Sequence, residues 1–315
     1  MMEAVKTEET AETVQASGTK RRRKRVAVVL LAAATAFAMF NVGVRTIAPR
    51  MLFHPNDDPG ARAELTRIAE ETGNVEPMRT TLVDGTEIFG WAALARAESG
   101  GAPEKEPPVV LYFEGNGGNS AARTRDVVRK PGPLAGFDFV CCDYPGYGES
   151  GGKPSARTLK AFGLAAYDAT VKAFPGRRIV VFGFSLGTGV ASYVASEREV
   201  AGLILAAPYA DGFDLFNNFA PIFYGPTRLA VPYRMEAVKF AKKVDVRPLI
   251  LATRPDALVP FASSERLAKA FPKGAEFVAQ DDVEHHWVWS TEEAGAAIVE
   301  YLRSLTPPQT NETAR

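Results

Sequence analysis

The sequence has few histidines and cysteines and no excess of either charge. Its 315 residues include three histidines and two cysteines, and 37 basic residues balance 37 acidic ones. A balanced chain has no overall field that would attract nucleic acid or an anionic substrate. Beyond the adjacent pair Cys141 and Cys142, no Cys/His cluster has the spacing of metal ligands. We therefore predict a protein without metal or cofactor and without a nucleic-acid partner.

The two cysteines lie in an apolar stretch, residues 137–142, that is typical of a buried strand. Adjacent strand residues point to opposite faces of a sheet, so a disulfide between them would be strained. We expect Cys141 and Cys142 to act as small core residues.

Charge is concentrated near the N-terminus. Residues 20–25 are all basic, and residues 26–44 form an uncharged, largely apolar run of about 19 residues, long enough to span a membrane as a helix. The basic cluster should stay in the cytoplasm and place the following domain on the other side. We predict a disordered cytoplasmic tail over residues 1–25 and a single-pass anchor over residues 26–44. The alternative is a signal peptide cleaved after Ala38, which would give a secreted protein.

The chemistry of the chain centres on the segment Gly-Phe-Ser-Leu-Gly at residues 183–187. An apolar, strand-like run precedes it and a helix-like run follows it. G-x-S-x-G between a strand and a helix is typical of a nucleophile elbow, a sharp turn that exposes a serine hydroxyl. The sequence therefore predicts Ser185 as a nucleophile.

A serine nucleophile needs a base and a carboxylate that orients the base. His54 precedes every strand pattern, whereas His285 and His286 follow the last one. We predict His285 as the base, with His286 as its competitor.

The candidate acids are Asp256 and Asp211, each of which follows a strand-like run. Asp256 comes after residues 248–252 and gives the chain order Ser185, Asp256, His285, in which the nucleophile precedes the acid and the base. We predict Asp256 as the acid and keep Asp211 as the alternative.

An oxyanion formed at the substrate needs preorganised donors. One candidate is the backbone N–H of Leu186, directly after the nucleophile. The strand-like residues 108–113 lead into Glu-Gly-Asn-Gly-Gly-Asn at 114–119, a turn with small side chains that lets amides face a ligand. We predict the backbone N–H of Asn116 as the second donor.

These pieces, in this order, resemble the α/β-hydrolase superfamily over about residues 78–305. Within it the chain is similar to small-lid serine hydrolases of the Bem46-like and depalmitoylase-like group. The matching segments are residues 112–119, 143–150, 183–187 and 256–260 and the late histidine. The resemblance implies a mostly parallel central sheet covered by helices on both faces, with a small lid. One residue departs from it, because Glu114 stands where family members usually carry histidine.

Periodicity agrees with one catalytic domain over residues 78–305, after a linker at 45–77 and before a disordered tail at 306–315. Residues 78–83 and 86–92 read as a hairpin with an Asp-Gly turn, and strand and helix patterns then alternate. The expected helices lie near residues 120–130, 155–174, 187–197, 261–271 and 291–304.

The lid position, about residues 209–247, is too short for a large cap domain. It carries the aromatic residues Phe213, Phe216, Phe219 and Tyr224. They are either core residues of a short helix or an apolar wall for an acyl group.

From the sequence we expect a membrane-anchored serine hydrolase acting on small-molecule or lipid-like esters or thioesters. Two alternatives stay open. One is a peptidase or amidase with the same three residues. The other is a hydrolase-like binding protein without activity, which only Glu114 favours.

Overall fold

A computed structural model describes residues 2–95, 107–130, 132–219, 227, 231 and 233–305. Eight strands form one sheet in the order β1-β2-β4-β3-β5-β6-β7-β8. The strands are β1 (Val75–Thr81), β2 (Glu87–Ala93), β3 (Val109–Phe113), β4 (Asp138–Cys142), β5 (Ile179–Phe184), β6 (Gly202–Ala206), β7 (Leu249–Thr253) and β8 (Glu276–Gln280).

The sheet is antiparallel at one edge and parallel elsewhere. β1 and β2 pair as a hairpin in which Thr81 lies opposite Glu87, and the turn contains Gly85 with a φ of 85°. β2 is also antiparallel to β4, whereas every pair from β4 to β8 is parallel. The structure thus confirms the predicted hairpin and mostly parallel sheet.

Helices cover both faces of the sheet. In chain order after the hairpin they are α3 (Ser120–Arg129), α4 (Ala156–Ala173), α5 (Leu186–Glu197), α6 (Gly212–Phe219), α7 (Ala237–Ala241), α8 (Phe261–Ala268) and α9 (Glu292–Ser304). Strands β3 to β7 are buried along their whole length, so both faces are covered by apolar side chains. The two resulting cores lie on opposite faces, one including Val181 and the other Phe182. Because parallel strands end at one edge, the loops after β3, β5 and β7 come together there.

The cysteines occupy the positions that the strand pattern predicts. Both are free and buried in β4, with Cys141 in one core and Cys142 in the other. Burial raises the pKa of the Cys142 thiol to about 12, with the Asp143 carboxylate acting in the same direction. Both thiols are therefore packing groups rather than nucleophiles.

One helix, α1, covers Met2–Leu52. Within its segment Arg21–Ile47, an 18-residue apolar window has a mean hydropathy of 2.1 and is 0% buried. Length and composition suit a membrane-spanning helix, and a signal sequence meets the same criterion. The helix also covers residues 2–25, the predicted disordered tail, and residues 2–19 contain four glutamates, three alanines and no proline, a composition that favours helix.

The segment expected to be a linker, residues 45–77, contains a second helix, α2 (Pro59–Thr72). The Asp58 side chain accepts a hydrogen bond from the Ala61 N–H, and Pro59 occupies the first helical position. Gly73 ends the helix in the left-handed conformation with a φ of 64°. Leu65 and Ile68 bury the apolar face of α2 against the sheet side that holds Tyr112. The N-cap, proline and C-terminal glycine are standard helix signals that a reading of this stretch as linker overlooked.

Candidate active site

Ser185 stands alone between β5 and α5. Its backbone has φ 49° and ψ −114°, a conformation that residues with a Cβ adopt only under strain. Close packing around it fixes the identity of both motif glycines. A Cβ on Gly183 would lie 2.6 Å from the Gly187 carbonyl oxygen, and a Cβ on Gly187 would lie 2.1 Å from that of Phe113. Only glycine therefore allows this strand–turn–helix geometry.

Three side chains from separate loops meet at this edge of the sheet. His285 Nε2 lies 2.9 Å from Ser185 Oγ, and His285 Nδ1 lies 2.7 Å from Asp256 Oδ2. The side chains of His285 and Asp256 are 5% and 2% exposed. An ionised carboxylate can only accept, so the geometry assigns the imidazole proton to Nδ1. Nε2 is then free to accept the proton of the serine hydroxyl.

The backbone of its own loop holds Asp256. Its Oδ1 accepts hydrogen bonds from the N–H groups of Leu258 and Val259, each at 2.8 Å, while Oδ2 faces His285. Asp211, the alternative acid, lies at the start of α6, where its Oδ1 accepts from the Phe213 N–H at 3.1 Å. Asp211 thus has the position of a helix cap.

His286 has a different environment from its neighbour. Its ring is perpendicular to that of His285 at a centroid distance of 5.4 Å, and the residue is exposed. His285, by contrast, is buried against Phe184, with ring centroids 5.3 Å apart.

The glycine-rich turn after β3 lies beside the serine. A Cβ built on Gly115 would be 3.6 Å from the Ser185 Cβ and 2.8 Å from the Phe184 ring. Gly118 donates to the Gly115 carbonyl at 3.2 Å and closes the turn around Asn116. On the other side, α5 begins at Leu186, and the first amides of a helix have no acceptor within it. The turn and the start of α5 thus lie beside the serine, and the role of the Asn116 and Leu186 N–H groups as oxyanion donors stays a prediction.

Glu114, the residue that departs from the family pattern, is buried and paired. Its carboxylate accepts from Arg123 Nε at 2.6 Å and from the Gly115 N–H at 2.9 Å. The Arg123 guanidinium also lies over the rings of Tyr112 and Trp289, 5.3 and 5.1 Å from their centroids.

Arg123 is half-buried and stays charged. Burial by itself lowers its pKa, but Tyr112 and Glu114 outweigh burial and raise it. The pair therefore adds no net negative charge beside the serine. Sequence reasoning missed Arg123, although its place on the helix directly after the turn is a usable signal.

The predicted aromatic wall is described only in part. Phe213 is buried together with Val231, and Phe40 and Val44 of α1 pack against these two residues. Phe216 and Phe219 fall on α6, but their side chains, like Tyr224, lie outside the described part of the chain. Phe213 thus connects the lid position to the apolar N-terminal helix.

His54 lies next to the glycine-rich turn after β3, the predicted oxyanion turn at residues 114–119, a contact that sequence reasoning also missed. Its Nδ1 is 3.1 Å from the Asn116 side-chain nitrogen. Asp143, Tyr147 and Ser150 form the turn below it, in which Ser150 Oγ donates to the Asp143 carbonyl at 2.9 Å.

In the described residues no group of three or more His, Cys, Asp or Glu side chains is arranged to hold a metal ion.

A mostly parallel sheet with a serine on the sharp turn between a central strand and its helix defines the α/β-hydrolase architecture. Two family models match the chain: "alpha/beta hydrolase fold" over residues 108–225 and "TAP-like protein" over residues 227–314. The protein belongs to the α/β-hydrolase superfamily. Its place in the Bem46-like group stays a prediction.

The chain is similar to several curated proteins. An uncharacterized protein of Mycobacterium tuberculosis is 28% identical over 239 residues, 75% of this chain and 80% of that protein. The chicken lysophosphatidylserine lipase ABHD12 is 31% identical over 179 residues, 51% of this chain. That match spans about half of the lipase, 46% of its length.

Solved structures share the fold. The Pyrococcus furiosus esterase Pf2001 superimposes with a TM-score of 0.61 at 18% identity, covering 81% of this chain and 97% of the esterase. Est1E from Butyrivibrio proteoclasticus, solved with ferulic acid bound, gives a TM-score of 0.57 at 21% identity, covering 72% and 98% of the two chains.

Proposed function

We propose that the protein is a serine hydrolase that cleaves carboxylic esters or thioesters through an acyl-enzyme, held at a membrane by α1. The observation that carries the proposal is the chain of hydrogen bonds from Ser185 through His285 to Asp256, beside a turn of small residues. The lipase and esterases to which the chain is similar support ester hydrolysis over the alternatives.

The reaction follows from the positions of these groups. Ser185 Oγ attacks the substrate carbonyl carbon while His285 Nε2 takes the hydroxyl proton. Asp256 stabilises the resulting imidazolium, and the amides of Asn116 and Leu186 bind the oxyanion. The tetrahedral intermediate then expels the alcohol or thiol, which receives the proton from His285.

Water completes the cycle. His285 deprotonates a water molecule that attacks the acyl group on Ser185, and the second intermediate releases the carboxylic acid. The proton returns to Ser185 Oγ, so the enzyme is regenerated.

The paired state of Glu114 supports activity rather than a silent binding role. An uncompensated anion beside the oxyanion would oppose the reaction, but Arg123 neutralises it within the same cluster. Amide cleavage stays a second candidate because the same three groups can perform it.

Ser185→Ala tests the proposal. The variant should lose fluorophosphonate labelling and hydrolysis of an activated ester, because only the nucleophile is removed and its Cβ is kept. A panel of esters and thioesters of graded acyl length, with a peptide amide as comparison, would then define the substrate class. Labelling that persists in Ser185→Ala would rule out Ser185 as the nucleophile.

A further inference from the structure

The residues that follow α1 lie across the oxyanion turn. Phe53 is buried, with its ring 5.7 Å from that of Tyr233 in an edge-on arrangement. The chain then continues through exposed residues, His54 to Asn56, before α2 begins. Residues 52–56 are thus fixed to the catalytic domain by one apolar anchor and by the hydrogen bonds described next.

The Asn116 side chain is held mainly by this segment. Its Oδ1 accepts from the His54 N–H and from the Tyr147 hydroxyl, each at 3.0 Å. Its Nδ2 donates to the Leu52 carbonyl and lies 3.1 Å from His54 Nδ1. A side-chain amide has two donor hydrogens and two acceptor sites, so these contacts engage all four.

Asn56 makes a second link to the same turn. Its Nδ2 donates to the Gly117 carbonyl at 3.1 Å, and its own carbonyl accepts from the Gly148 N–H at 3.1 Å. The segment therefore ties the oxyanion turn to the turn that follows β4.

The oxyanion turn needs such support. Three of its residues, Gly115, Gly117 and Gly118, are glycines, and Asn116 between them is exposed. Glycine-rich backbone is conformationally free, whereas a donor contributes to catalysis only when it is fixed before the oxyanion forms.

We propose that residues 52–56 are a positioning segment of the active site. By holding the Asn116 side chain, the segment keeps the backbone N–H of Asn116 in the orientation that binds the oxyanion. This inference rests on the proposed function and adds that the polypeptide leaving the apolar helix takes part in organising the catalytic centre. His54 and Asn56 are positioning residues, since they act on the reacting atoms only through the turn.

The test uses the full-length chain in detergent micelles and the variants His54→Ala, Asn56→Ala and their combination. Asn74→Ala is the matched control, because Asn74, which is half-buried, also donates through its side chain to a distant carbonyl, that of Leu94 at 3.4 Å. In the double variant kcat should fall about 10- to 100-fold, less than the loss from removing an oxyanion donor outright. KM should change less than threefold.

Binding of a boronic acid separates positioning from simple stability, because its adduct with serine places a negatively charged oxygen in the oxyanion site. Its affinity should weaken by about the same factor as kcat falls, while the pH profile of kcat/KM keeps its shape. A purely structural role would lower the melting temperature and leave kcat and boronate affinity at those of Asn74→Ala. That result would overturn the inference.

Hydrogen exchange keeps the inference testable if the proposed function is wrong. A wild-type protein that hydrolyses no ester, thioester or amide would refute the function. Faster exchange of the amides of residues 115–118 in the double variant than in Asn74→Ala would still support the positioning role. Unchanged exchange would refute that role whatever the activity.

Discussion

At the scale of single residues, adjacent or alternative side chains differ sharply in environment. His285 lies between Ser185 and Asp256, whereas His286 points to solvent, and Asp211 caps a helix. A catalytic base of this kind needs one ring nitrogen at the serine and the other at a carboxylate. In the described structure only His285 makes both contacts.

We therefore predict an unequal loss within each pair. His285→Ala should lower kcat by about 10³-fold or more, and His286→Ala by less than tenfold. Asp256→Asn should be more damaging than Asp211→Asn, because an amide at 256 favours the wrong imidazole tautomer. Steady-state hydrolysis of an activated ester measures all four variants. The opposite order in either pair would show that the other residue is the catalytic one.

The ion pair at Glu114 gives a second prediction. Arg123→Gln leaves a buried carboxylate uncompensated near the oxyanion, and we expect kcat to fall about tenfold. Glu114→Gln in the same chain should restore most of the activity, since the double variant has no net charge there. The double-mutant cycle is read from kcat and from the midpoint of thermal unfolding. Additive losses in both would mean that the two side chains act independently.

The site residues differ in how well the sequence could predict them. Ser185 and His285 stand in patterns that the chemistry itself requires, a strand–helix turn and a late loop. Arg123 reaches the site from the helix directly after the glycine-rich turn, whereas no spacing rule connects His54 with Asn116, 62 residues away in the chain. Such contacts become visible only when the fold brings the segments together.

At the scale of elements, the turn between β5 and α5 depends on backbone contact. A Cβ on Gly187 would press on the carbonyl oxygens of Phe113 and Glu114 at 2.1 and 2.7 Å. Backbone atoms of a central strand cannot move aside as a flexible side chain could. Strand β3, helix α5 and the oxyanion turn therefore keep their positions only if residue 187 has no side chain.

Gly187→Ala should therefore destabilise the fold by about 1–3 kcal/mol and displace Ser185 from His285. Gly136→Ala is the control, because a Cβ there meets nothing within 4 Å. The free energy of unfolding, measured with denaturant, and the rate of ester hydrolysis should both fall in Gly187→Ala. Both should stay near the wild-type values in Gly136→Ala. Equal behaviour of the two variants would contradict the proposed constraint.

The elements themselves show where sequence patterns suffice. Alternating strand and helix patterns predict the sheet and five of its covering helices, because buried parallel strands read as continuous apolar runs. Helix α2 lies inside the predicted linker and was not predicted as a helix because its apolar face is narrow, with Leu65 and Ile68 as its large buried residues. Short helices α6 and α7 likewise depend on tertiary packing more than on their own sequence.

At the scale of the whole molecule, α1 is the helix that we propose as the membrane anchor. The basic cluster at residues 20–25 precedes an apolar run whose residues are exposed as far as Met39, as expected for a surface that faces lipid. Arg45 and Arg50 follow the run and oppose the orientation, but six basic residues outweigh two.

We predict that the full-length protein stays with membranes after a carbonate wash and that protease added from the non-cytoplasmic side digests the catalytic domain. Deleting residues 1–48 should release a soluble, active hydrolase, because residues 52–56 and every strand remain. A native N-terminus at Met39 would instead show cleavage after Ala38 and a secreted enzyme.

The unbroken course of α1 has one more consequence. The helix continues from Val44, where the apolar run ends, to Leu52, a rise of about 12 Å at 1.5 Å per residue. The next residues already touch the oxyanion turn. If the apolar run lies in a bilayer, this geometry holds Ser185 a short distance above the lipid surface, with no long flexible linker between the two. An enzyme held in this way would meet lipid-like substrates of the same bilayer by lateral diffusion in two dimensions, and their surface density rather than their bulk concentration would set how often they arrive.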